Sequence, residues 1–332
     1  MKNHYVKRVV AIVLTGAMLL SAGCSSSADK SADGKTQKDI SQYSDDDGQK
    51  EITALVATGL SPDQADPIEG SMDFRLYEMV YDPLVRYGED GKILPALAKK
   101  WEISEDGTKY TFYLRDDVKF SDGTNFNADS VLMNAERWIK DGFSSPLNNI
   151  IKIDDYTVEF EFESAAYPCL IEFTYPRPYR MAGAASFDEN GKFVQMIGTG
   201  EWMVESYKEE QEVVMVPNPY YYGEKSKVDK VILRQVGDGQ SRCMALQSGE
   251  ADISIADIPS ENKAVIEGDD TLDTFEVDGT LGFFLIENYE NPMLQDVKVR
   301  QALNYAIDRQ AIVDSLLDGA GTPATGLMTP NT

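Results

Sequence analysis

The stretch Leu94–Trp138, LPALAKKWEISEDGTKYTFYLRDDVKFSDGTNFNADSVLMNAERW, constrains the fold more than any other part of the chain. Its first residues, Leu94–Trp101, read as a short helix or turn. Tyr110, Phe112 and Leu114 then alternate with Thr111 and Tyr113, the period-2 pattern of a half-buried strand. Glu105-Asp106-Gly107 supplies a turn just ahead of that strand, because glycine accepts positive φ without steric cost. Asp122-Gly123 is a second turn, and the Asn127/Asp129 region can cap a helix beginning near Ser130. The expectation is a strand, a tight turn and a capped helix, with no reactive group.

The same alternation runs through the rest of the body. Glu51–Leu60 opens as a strand ending at Gly59, and Phe74, Leu76, Tyr77, Val80 and Tyr81 fall at helical spacing. Asp82-Pro83 ends that helix, since the residue before proline avoids the α region. Val158, Phe160 and Phe162 alternate with acids, which predicts a strand with one wet face. Asp154 and Asp155 are adjacent and so point apart, which favours a hairpin turn over paired acid–base chemistry. Val213–Val216 and Val231–Leu233 read as strands, Arg242–Gly249 as a helix, and Gly249–Ile253 as a turn into a strand. Asp296 caps a helix whose stripe is Val299, Ala302, Leu303, Ala306 and Ile307, with Gly319 as its stop. Strands alternating with helices predict an α/β fold.

The beginning of the chain has another character. Lys2, Lys7 and Arg8 precede the apolar run Val9–Leu20, which is short for a bilayer span. Ser21-Ala22-Gly23-Cys24 follows, so residues 1–23 read as a secretory signal peptide rather than an anchor. Residues 24–50 are small, polar and charged, and the expectation for them is a disordered tether.

Removing residues 1–23, which carry three positive charges and no acid, takes the formal charge from −25 to −28. A polypeptide so acidic does not grip nucleic acid through its phosphates. The single histidine is His4, so residues 24–332 lack any His-based catalytic triad or His-ligated zinc site. Cys169 and Cys243 lack metal-type spacing. They read as two small buried hydrophobes, with a disulfide between them the alternative.

The run PALAKKWEISEDGTKYTFYLRDDVKFSDGTNFNADSV resembles the signature of the family 5 extracellular solute-binding proteins, the peptide- and nickel-type receptors of ABC importers. Tyr81–Val85 (YDPLV), Asn218–Gly223, Gly249–Ile253 and the run VRQALNYAIDRQAIV are similar to phrases of that family. So is Ile197–Trp202 (IGTGEW), with Glu201 where proline is usual. Ser21–Cys24 resembles a lipobox, which implies lipidation at Cys24.

The resemblance implies a two-lobed, periplasmic-binding-protein-like α/β fold (class II, family 5) with mixed sheets and an incomplete second lobe. Residues 51–85 and 165–281 would form the main domain of lobe I, and 86–164 its inserted subdomain. Residues 282–332, opening on the crossover strand Gly282–Asn288, would begin lobe II. Family members run longer, so the expectation is a sequence interrupted as lobe II begins.

The segment SAAYPCLIEFTYPRPYR is most informative about ligand. Pro176 and Pro178 flank Arg177, and a stiff backbone suits a guanidinium that binds carboxylate through two hydrogen bonds. Nickel-type members carry a similar proline–arginine–proline segment, which implies that Arg177 grips the carboxylates of an organic chelator. Tyr175 stands beside it, and Met72 would border the cleft from the loop after the first strand, with core filling as its alternative role. Those members place a second arginine after the signature helix. Here Lys140 and Phe143 occupy that region, and lysine keeps the charge but loses the fork geometry.

The function implied is a non-catalytic, lipid-anchored receptor outside the cytoplasmic membrane, or in the periplasm, that feeds an ABC permease and its ATPase. The expected ligand is a nickel chelate or a short peptide, with no cofactor of its own and no nucleic-acid partner, and the expected state is a monomer. Alternatives are a peptide receptor without a metal role, a secreted carboxylate-dependent hydrolase, and a lipoprotein adhesin or sensor.

Overall fold

In the computed structural model the described residues are 50–68, 74–88, 91–141, 147–167, 169–176, 178–256, 258–275, 282–317, 319 and 321–326. They divide into two compact units. One holds residues 50–238 and 249–256, and the other holds 239–248 and the residues from 258 on.

The larger unit is built on β1 (Glu51–Val56), α1 (Phe74–Val80), β2 (Val85–Tyr87), β3 (Ile93–Pro95), β4 (Ala98–Ile103), β5 (Lys109–Leu114), α2 (Ala128–Asp141), β6 (Leu147–Asp154), β7 (Thr157–Phe162), the single turn α3 (Cys169–Glu172), β8 (Trp202–Lys208), β9 (Glu212–Pro217) and β10 (Lys230–Gln235). The polypeptide passes through α4 (Gly239–Ser248) of the smaller unit and returns for β11 (Ile253–Ser254). The smaller unit continues with α5 (Ser260–Glu267), α6 (Pro292–Gln295), α7 (Val297–Ala306) and α8 (Arg309–Leu316).

Two principal sheets organise the larger unit. A mixed five-stranded sheet runs in the order β11-β1-β10-β9-β8, with β1 parallel to both β10 and β11 and the remaining pairs antiparallel. Ala54 and Val56 of β1, Val213 and Met215 of β9, and Val231 and Leu233 of β10 share one core with α1 residues such as Leu76 and Val80. The second sheet is antiparallel, in the order β4-β5-β7-β6.

The alternation in β5 and β7 behaves as the sequence predicts. Tyr110, Phe112, Leu114, Val158, Phe160 and Phe162 are buried on one face. On the other face Lys109 bonds Glu161 at 2.6 Å and Glu159 at 3.1 Å. The buried face closes on Trp138 of α2, on Phe173 and on Tyr179. Phe112, Phe160 and Phe173 make edge-on contacts with centroids 5.1–5.4 Å apart. Burying each ring stabilises the fold by about 2–3 kcal/mol relative to exposure.

Local signals set most boundaries. The Asn127 side chain accepts from Ser130 N at 3.2 Å and caps α2. Asp106 accepts from Thr108 N at 3.1 Å and Gly107 has φ 70°, which turns β4 into β5. Asp154 accepts from Tyr156 N at 2.8 Å in the β6–β7 hairpin, so the Asp154/Asp155 pair is turn chemistry.

Three expectations fail. Leu94–Trp101 is not a helix or turn, because β3 and most of β4 lie there. Pairing of β4 with β5 satisfies the backbone and outweighs the weak helical preference of Ala and Lys. The helix after Asp296 is two helices. Ile307 is extended, and Asp308 starts α8 anew by accepting from Ala311 N at 2.9 Å. Gly282–Asn288 is not a strand; it joins no ladder among the described residues, and Phe283 and Ile286 are 88% and 90% exposed.

The two cores of the larger unit meet at Gly198-Thr199-Gly200. Gly200 N donates to Val80 O at 2.9 Å, Ser121 N donates to Gly198 O at 2.8 Å, and the Asn218 amide donates to Gly200 O at 2.9 Å. A Cβ on Gly198 would lie 1.9 Å from Val80 O, and one on Gly200 would lie 2.5 Å from Met79 O. A second clasp joins α2 to the segment after Tyr179. The Asn134 amide donates to Ala182 O at 2.9 Å, and Ala182 N donates back to Asn134 Oδ1 at 3.1 Å.

The turn predicts a sharp contrast between glycines. G198A should lower unfolding stability by about 3 kcal/mol or more in urea titration, because backbone rather than side chains must yield. G249A, at φ 75° with open space around it, should cost only about 1 kcal/mol.

Candidate functional site

The segment that carries the proline–arginine–proline motif leaves α3 as a tight turn. Thr174 N donates to Ile171 O at 3.0 Å, Tyr175 N to Glu172 O at 3.1 Å, and the Thr174 hydroxyl to Ile171 O at 2.7 Å. Two buried rings bracket the segment. Phe173 and Tyr179 lie 5.6 Å apart, and both pack on Trp138, at 6.1 and 5.5 Å. Both feet of the loop are therefore fixed in the aromatic core. Tyr175, 53% exposed, projects from it.

Of the residues singled out in the sequence, Arg177, Met72, Phe143 and Cys24 lie outside the described residues, as does the Lys140 side chain. Lys140 falls in the last turn of α2. Tyr175 alone has a described side chain, and the described contacts do not bring these residues together. Cys169 and Cys243 are both buried and are not joined in a disulfide. Burial pushes the Cys169 thiol well up, so it stays neutral.

The structure gathers a polar cluster that sequence reasoning did not. Arg180, two residues beyond Pro178, is buried. Its guanidinium reaches Tyr81 O at 3.5 Å and Glu78 Oε1 at 3.9 Å. Asp82 sits against it, accepting from the Thr199 hydroxyl at 2.9 Å and sharing a hydrogen bond with Tyr222. Met181 N donates to Asp82 O at 3.1 Å, so backbone and side chain tie the same two segments.

Burial raises the Asp82 carboxyl above its ordinary 3.8, opposed by the Thr199 hydroxyl and then the Arg180 charge. Burial also lowers Arg180, opposed by Glu78 and Asp82. YDPLV, PRPYR and IGTG each stand out in the sequence, and only folding shows that they share one polar junction.

Beside the junction is a cavity of about 100 Å³ lined by Glu201, Pro217, Asn218, Pro219, Tyr221, Lys225 and Ser226. Burial raises the Glu201 carboxyl, against a Ser226 hydrogen bond. Small-molecule sites measure roughly 300–1,000 Å³, so this one is too small for a chelate or a peptide. Among the described residues no three His, Cys, Asp or Glu side chains are placed to hold a metal, and no helix is long and apolar enough to cross a membrane.

A mixed α/β body with several separate sheets is the architecture of extracellular binding proteins. NikA from Brucella suis in complex with Fe(III)-EDTA superposes with a TM-score of 0.72 at 25% identity, covering 85% of this chain and 59% of that one. Residues 92–332 match the model for bacterial extracellular solute-binding proteins, family 5 middle, and the chain belongs to that family.

It is 32% identical over 268 residues to the nickel-binding periplasmic protein of Escherichia coli K12, covering 76% of this chain and 51% of that protein. It is 30% identical to heme-binding protein A of Haemophilus influenzae, covering 98% of this chain and 64% of that protein. The chain thus spans about half to two thirds of the length of these relatives.

The junction has a pH signature. The folded protein holds the Asp82 proton more tightly than the unfolded polypeptide does. Its stabilisation is full below about pH 3.8 and is lost as pH rises through the folded-state value. Urea unfolding of wild type and D82N should therefore show the difference in stability moving in favour of the variant from acid to neutral pH. A difference that does not change with pH would mean that burial does not shift this carboxyl.

Proposed function

We propose that this protein is the capturing component of an ABC importer, a receptor that binds a carboxylate-bearing solute outside the cytoplasmic membrane and presents it to a permease driven by an ATPase. It performs no catalysis. The observation that carries the reading is the family match over residues 92–332.

The ligand we favour is a nickel ion held by a small organic chelator, with a short peptide as the second choice. The nickel-binding relative supports this, as does the PRP segment on a loop rooted at Phe173 and Tyr179. Arg177 grips the carboxylates, and Tyr175, Met72, Lys140 and Phe143 border the ligand. Nickel is cargo here, not a resident cofactor.

Residues 51–85 and 165–281 act as the main domain of the first lobe, 86–164 as its inserted subdomain, and 282–332 as the start of the second. Shared membership of β1 and β8–β11 in one sheet, and of β4–β7 in another, supports the separation of main domain from inserted subdomain, while α4 and residues 258–275 group with the residues after 282 in the smaller unit. Cys24 carries the lipid, residues 24–50 are the tether, and the receptor works as a monomer.

Isothermal titration of the protein from residue 24 onward tests the ligand. Binding of nickel only when a small polycarboxylate is present supports chelate capture, whereas binding of short peptides alone selects the peptide reading. Heat with neither would overturn both. R177A should weaken chelate binding by about 10- to 100-fold, the worth of one charge-assisted bidentate contact. Separately, C24S should abolish incorporation of a fatty-acid label into the cell-associated protein; persistent labelling would place the lipid elsewhere.

A further inference from the structure

Asn190-Gly191 is the only Asn–Gly pair in the sequence. It lies at the tip of an exposed turn between Phe187 and Phe193, which are bridged to each other. Asp188 organises the turn. Its side chain accepts from Asn190 N and Lys192 N, both at 2.9 Å, and its carbonyl accepts from Gly191 N at 2.9 Å. The Asn190 side-chain amide makes no hydrogen bond among the described residues, and Gly191, at φ 77°, has open space where a Cβ would stand.

Two other described turns of this kind are locked differently. The residue before glycine is an aspartate whose carboxylate is held by neighbours, Asp106 by Ser104 and Thr108, and Asp122 by Thr124.

We propose that Asn190 is a site of spontaneous deamidation. When the hydrogen bond from Gly191 N to Asp188 O opens, that nitrogen gives its proton to solvent base and attacks Asn190 Cγ. The new bond from nitrogen to Cγ closes a five-membered imide; Nδ2 takes a proton from the solvent acid so formed, the Cγ–Nδ2 bond breaks and ammonia leaves. Water then opens the imide at one carbonyl or the other, yielding aspartate or isoaspartate. No oxidant or reductant is involved.

The product matters because of what the turn holds. Gly191 O accepts from Arg137 Nη1 at 3.2 Å, Arg137 lies 4.1 Å over the Phe187 ring, and its Nη2 pairs with Asp66 at 2.5 Å. An isoaspartate lengthens the backbone by one atom immediately before Gly191. It also adds a carboxylate beside Asp188 and Glu189. Both changes pull on the acceptor that fixes Arg137, and through it on the loop between β1 and α1.

The test is incubation of the folded protein in mildly alkaline buffer, followed by peptide mapping with mass detection of amide-to-acid conversion. Asn125 and Asn148, both exposed but followed by Phe126 and Asn149, are internal references. Glycine has no Cβ to shield its own nitrogen, so conversion at Asn190 should run about tenfold or more ahead of both. N190Q should leave the reference sites unchanged and remove the leading product. An intact Asn190 while either reference converts, or equal rates at all three, would overturn the proposal.

Discussion

Gly198 and Gly200 lie against the carbonyl oxygens that end α1, and that contact leaves no room for a Cβ at either position. The larger unit depends on it. One core belongs to the mixed sheet and α1, the other to the antiparallel sheet and α2, and the glycine turn is where hydrogen bonds from both converge. Because the approach is backbone to backbone, it fixes distance more tightly than interlocking side chains could. Thr199 between the two glycines is thereby aimed at Asp82. Close packing of main-chain atoms creates the polar junction, and the junction in turn seats Arg180 just beyond Tyr179, where the segment after α3 returns to the aromatic core.

Two buried or half-buried arginines show different solutions to the cost of enclosing charge. Arg137 meets a carboxylate directly, at 2.5 Å, and adds an aromatic face and a carbonyl. Arg180 has a distant carboxylate in Glu78, a backbone carbonyl, and Asp82 nearby. Desolvation of both members of such a group makes it a poor source of net stability, and well-packed apolar residues would often serve as well. Its value is geometric, since a hydrogen-bonded ion cluster tolerates few alternative arrangements.

The parts of the fold legible in the sequence are those set by local physics. Tyr110, Phe112 and Leu114 show their strand by alternation, Asn127 shows its cap, and Asp106-Gly107 shows its turn. Of the failures, one is decided by a partner strand and another by a local cap that interrupts an apolar stripe. Leu94–Trp101 contains good helix formers, yet β5 offers it a ladder of hydrogen bonds. Ile307 continues an apolar stripe, yet Asp308 captures Ala311 N and starts a new helix. For the site, the proline-flanked segment was visible while its anchoring by Phe173, Tyr179 and Trp138 was not. Asp82, Arg180 and Thr199 come from three separate stretches, and no spacing rule links them.

The position of β1 bears on how the polypeptide reaches this structure. It sits inside the five-stranded sheet, parallel to β10 and β11, and Lys50 just before it bonds to Asp229, 179 residues farther along. The strand that leaves the synthesising machinery first among the eleven is thus completed only after residues 230–254 exist. The antiparallel β4–β7 sheet closes locally and can form long before. Contacts so distant are slow to find, because loop-closure entropy is lost before any pairing is gained. The β4–β7 sheet can therefore close on residues 98–162 alone, whereas β1 has no strand partner until residues 230–254 have been made.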